Sequence, residues 1–80
     1  MNKEQVFAEL KDKWNLFDMT KEESKKAYYE ITGLNFEKTS NVKYYLLDYV
    51  LESMVKDGDI DGELAYEIWN ECLWNKLLEN

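Results

Sequence analysis

Residues 42–55 decide most of what this chain can fold into. The stretch reads VKYYLLDYVLESMV, and ten of its fourteen positions are apolar or aromatic. On a helix, Asp48, Glu52 and Lys56 fall on one narrow polar stripe. Val42, Leu46, Val50 and Met54 lie to one side, and Leu47, Leu51 and Val55 lie next to them. A helix apolar over most of its circumference is a central helix with neighbours on several sides. The stretch is too short and too interrupted by charge to span a bilayer. No membrane association is expected.

The flanking segments supply the neighbours. Val6, Phe7, Leu10 and Trp14 recur at helical spacing and predict a first helix over 3–16, with Phe17 continuing its apolar seam. Thr20 and Glu23 have the spacing of a capping box, so a second helix is expected over 20–32, closed by Gly33. Its apolar face, Ala27, Tyr28 and Ile31, is thin, which makes it the least buried of the set. Leu34 and Phe36 are expected to plug into the core from the linker. Thr39, Ser40 and Asn41 are all suitable caps for the third helix, over 41–57. A last helix is expected over 62–78, capped by Asp59 or Asp61, with Leu64, Ala65, Ile68, Trp69, Cys72 and Leu73 buried. The expected fold is therefore all-α: residues 1–80 as one domain, a small bundle or orthogonal array of about four helices around the third. The absence of Pro and the presence of only three Gly agree with that.

Charge narrows the function. Seventeen acids face ten bases, every base is Lys, and the net charge is −7. Residues 41–80 hold nine acids against three Lys, so that half carries −6. Such a surface repels phosphate backbones and attracts basic partners, so direct nucleic-acid binding is not expected. The Lys21, Lys25 and Lys26 cluster is interleaved with Glu22, Glu23 and Glu30 and reads as a solvated helix face. Catalysis is not expected either, and no cofactor is implied. The chain has no His to shuttle protons and no Arg to clamp an anion. Cys72 lies on an apolar face without an activating neighbour. No apolar leader precedes a small-residue cleavage site, and a single Cys fits a reducing compartment, so a cytoplasmic protein is expected.

The sharpest local motif is Asp57-Gly-Asp-Ile-Asp-Gly62. It resembles the first half of an EF-hand calcium loop, with carboxylates at positions one, three and five and Gly at six. The resemblance implies a calcium-responsive helix-loop-helix module, with Asp57, Asp59, Asp61 and Glu63 as candidate ligands. It covers six residues. The bidentate Glu that closes such a loop at position twelve is replaced by Ile68.

The stronger lead is the run of acids Asp57, Asp59, Asp61, Glu63, Glu67 and Glu71, with Tyr66 and Trp74 among them. Helical spacing places Glu63, Glu67, Asn70 and Trp74 on one strip. A surface Trp flanked by carboxylates has the composition of a contact patch for a basic protein surface. The competing reading is a solvated acidic face, with Trp74 folded back against the first helix beside Trp14. The pairs Tyr28/Tyr29 and Tyr44/Tyr45 cannot both point inward, because neighbours on a helix differ by about 100°. At least two of the four should be exposed, which leaves a homodimer or a self-associating adaptor open.

In size, charge and helicity the chain resembles the small acidic proteins with which phages and mobile elements bind and block host enzymes, some by mimicking DNA. That resemblance implies a non-enzymatic inhibitor or regulator of a nucleic-acid-handling host protein.

Overall fold

A computed structural model describes residues 1–35 and 41–79. Within them the chain is all-α, with four helices and no strand: α1 (Lys3–Asp12), α2 (Lys21–Thr32), α3 (Lys43–Lys56) and α4 (Gly62–Trp74). Phe36, Thr39 and Ser40, expected as a core plug and as caps, lie outside the described residues.

Short side chains fix each helix start. Asn2 and Gln5 form a reciprocal capping box on α1, and Thr20 and Glu23 form the expected one on α2. Asp61 caps α4 by accepting from the Leu64 N–H at 2.8 Å. The start of α3 has no side-chain cap at its boundary residue, Val42. Asn41, one residue earlier, accepts instead from the Lys43 N–H at 3.0 Å. The same Asn41 side chain donates to the Leu78 carbonyl, so one residue ties the start of α3 to the end of the chain.

Left-handed residues fix the helix ends. Gly33 closes α2 as expected, at φ 74°. After α3, Gly58 takes φ 81°, and the N–H groups of Gly58 and Asp59 return to the carbonyls of Val55 and Met54. That is a Schellman closure, and it suits a residue without a Cβ. The end of α4 repeats it with Lys76 in the left-handed position at φ 52°, and Leu77 N–H reaches back to Cys72. α4 therefore ends at Trp74 and not at residue 78, and the turn swings Leu78 into the core, where it is fully buried. α1 likewise ends at Asp12, short of residue 16. Asn15 adopts φ 52°, which Asn tolerates better than most residues, and the resulting turn buries Leu16.

The core is organised around α3. It packs against both α2 and α4. It buries Leu46, Leu47, Val50, Leu51 and Met54, while α1 adds Val6 and Leu10 and α4 adds Ile68 and Cys72 to the same cluster. α2 buries only Ser24 completely, so it is the thin helix that its sequence indicated. Edge-on aromatic contacts link the layers: Tyr28 meets Tyr45 between α2 and α3, and Tyr44 meets Trp69 between α3 and α4.

Three expectations need correction. Leu34 does not plug the core. It is 61 % exposed, because Gly33 turns the chain outward just before it. Leu73 is exposed rather than buried, since the covered arc of α4 is narrow and centred on Ile68 and Cys72. Val55 and Tyr49 are exposed beside Asp48 and Glu52; Tyr29 and Tyr45 are exposed too, the two of the four paired tyrosines that helical spacing required. The polar stripe of α3 is thus the middle of a wider uncovered face.

Candidate protein-binding face

The α3–α4 loop is tied together mainly by its backbone, and of its three Asp carboxylates that of Asp61 is the one that caps a helix. Asp57 is the last cap of α3, Asp59 provides a closing N–H and a carbonyl that accepts from the Met1 ammonium at 2.8 Å, and Asp61 caps α4. All three are exposed, as is Glu63 in the first turn of α4, where the helix dipole favours a negative charge. Among the described residues, no group of three acids or other ligands is placed to hold a metal ion. Asp57, Asp59, Asp61 and Glu63, the ligands that the loop's resemblance implied, are not brought together as such a group. The position of the closing Glu is held by Ile68, which is buried in the core.

On α4 itself, the two aromatics stand out into solvent. Trp74 is 80 % exposed and Tyr66 is 69 % exposed. Trp74 does not fold against α1, because its place on the strip of Glu63, Glu67 and Asn70 is opposite the arc of Ile68 and Cys72. Glu67 and Glu71 are less open than the sequence suggested. The ammonium group of Lys3, from the start of α1, lies 3.2 Å from Glu67 and 2.7 Å from Glu71. The two carboxylates hold the Lys3 ammonium pKa above its ordinary value, the Glu71 hydrogen bond most of all. This tie between α1 and α4 partly neutralises that edge; the loop acids and Glu63 form no ion pair among the described residues.

Sequence reasoning missed the neighbouring feature. Between α3 and α4 runs a trough lined by Asp48, Leu51, Val55, Ala65 and Tyr66 towards one end and by Tyr44, Tyr45 and Leu73 towards the other. Its signal in the sequence is Tyr45 and Val55 flanking the narrow stripe of Asp48, Glu52 and Lys56. Also unforeseen was Lys43, which is 1 % exposed. Burial pushes its ammonium pKa down, while the charges of Asp18 and Glu23 oppose the shift.

The remaining ionisable groups of the interior are inert. Cys72 is fully buried, and desolvation raises its thiol to about 11, with the Glu71 charge adding to the effect. The thiol is protonated at neutral pH and packs as an apolar side chain. The Tyr44 hydroxyl and the Trp14 indole N–H are buried with no hydrogen-bond partner among the described residues. Among the described residues, no helix is long and apolar enough to cross a membrane.

No family model, curated protein or solved structure matches the chain.

Proposed function

We propose that this protein is a non-catalytic binding module that docks on a basic protein surface through the α4 side of the bundle. One observation carries the reading. Trp74 and Tyr66 remain largely exposed on a helix whose flanking loop and first turn carry Asp57, Asp59, Asp61 and Glu63. Trp and Tyr are enriched at protein interfaces, where they bury a large ring, and a basic partner is drawn in by the acid on the same side. The partner class that fits best is a nucleic-acid-handling protein, whose phosphate-binding surface is basic of necessity. By occupying that surface the protein would inhibit or regulate it.

Capture from cell extract at low and high salt tests the reading. A specific partner should be retained at low salt and released as salt screens the contact. The double substitution Glu63→Lys with Trp74→Ala should abolish retention without unfolding the chain, since both side chains are exposed. Glu63 is the better acid to reverse, because Glu67 is engaged by Lys3. The absence of any salt-sensitive partner, or equal retention by the double variant, would refute it.

A further inference from the structure

The α3–α4 trough lies beside the acid strip and has a defined shape. It comprises two hollows of about 530 and 560 Å³. Asp48 and Trp69 line both, so the hollows are neighbours along the same helix pair. Four of the side chains that form the walls, Tyr45, Val55, Tyr66 and Leu73, are between 37 % and 69 % exposed. Together they make a contiguous apolar surface of the kind that marks a contact site.

Length, shape and charge select the occupant. The lining positions on α3 run from Tyr44 to Lys56, about 18 Å or a little over three helical turns. A trough between two packed helices accepts the side-chain ridge of a third, and strand addition is not open to a partner here, because the described residues contain no strand. Asp48 and Glu52 line the α3 side one turn apart, with Lys56 at the end. Glu63 stands next to the α4 wall. A second copy of this chain would set these acids against their own kind, in a chain already at −7.

We infer that the trough receives a cationic amphipathic helix of the partner. Apolar residues of that helix at i, i+3 or i+4, and i+7 fill the hollows, and its flanking Lys or Arg residues face Asp48 and Glu52. This rests on the binding reading above and adds the chemistry of the partner's contacting segment.

The test uses defined peptides and the whole protein, isotope-labelled for amide spectra. The probe is a Leu/Lys amphipathic helix of about five turns. Its controls are a scrambled peptide of the same composition and a Leu/Glu counterpart. The Leu/Lys helix should shift the amide signals of Tyr45, Ala65 and Leu73 and bind at least about tenfold tighter than either control. Asp48→Lys combined with Glu52→Lys, both exposed positions, should weaken it by about tenfold or more while the helical spectrum is unchanged. Several outcomes would overturn the inference: equal binding of the scrambled peptide, shifts confined to Glu63 and Trp74, an unaffected double variant, or sedimentation showing the trough filled by a second copy. Those results would leave the acid-strip reading standing, since that reading is tested by capture of the partner and not by these peptides.

Discussion

Tyr44 shows how a single side chain is divided between two demands. Its ring packs edge-on against Trp69, with centroids 5.9 Å apart, while its hydroxyl is buried without a partner among the described residues. Burial raises its pKa, with smaller contributions from the Glu79 charge and from Cys72. Removing that oxygen while keeping the ring should help. Tyr44→Phe is expected to stabilise the fold by about 1 kcal/mol, read as a melting temperature several degrees higher. Cys72 gives a second residue-level test. With its thiol pushed up to about 11 and no exposure, it should resist alkylation at pH 8 in the folded protein and react promptly in denaturant. The sequence foretold the inertness of Cys72, because its neighbours on the helix are apolar. It could not foretell Lys43 or the Tyr44 hydroxyl. Their burial depends on which helices cover them, and periodicity along one helix carries no such information.

At the scale of the helix, the ends were the most legible part of the chain. Thr20 and Glu23, Gly33, Gly58 and Asp61 act where their types and spacing placed them. The errors occurred where an ordinary residue does a special residue's work. Asn15 and Lys76 take left-handed conformations, and so α1 and α4 stop several residues before their apolar patterns do. Lys76→Gly relieves the steric cost of that conformation for a residue with a Cβ and should add about 0.5–1 kcal/mol in a denaturant titration. The α2 cap gives a pH signature. The Glu23 carboxylate accepts from the Thr20 N–H at 2.9 Å, and this bond is the main cause of its lowered pKa. Its contribution is therefore complete above the ordinary value of 4.5 and fades as pH falls below it through the folded-state value. The stability difference between the native chain and Glu23→Gln, followed by thermal melts, should shrink over that acid range. Thr20→Ala, which removes the other half of the box, should cost about 1 kcal/mol at neutral pH.

For the whole molecule, the apolar run of residues 42–55 organises the core as its pattern required, with α2 and α4 packed on α3. Its uncovered side was harder to foresee, because the same Tyr and Val residues read equally well as core or as contact surface. Whether Tyr45, Val55 and Leu73 are covered depends on where α4 crosses α3, and only the packed bundle fixes that. The acid distribution was legible as a total and misleading in detail, since Lys3 crosses over to engage Glu67 and Glu71. What remains open is an aromatic and acidic side on α4, next to an apolar trough. The most direct test is an amide-shift map of the labelled protein with its captured partner at low salt. The account predicts shifts on Glu63, Tyr66 and Trp74 together with Tyr45, Ala65 and Leu73 along the trough, all of which disappear as salt is raised. Shifts confined to α2 around Lys25 and Tyr29, with α4 silent, would contradict it.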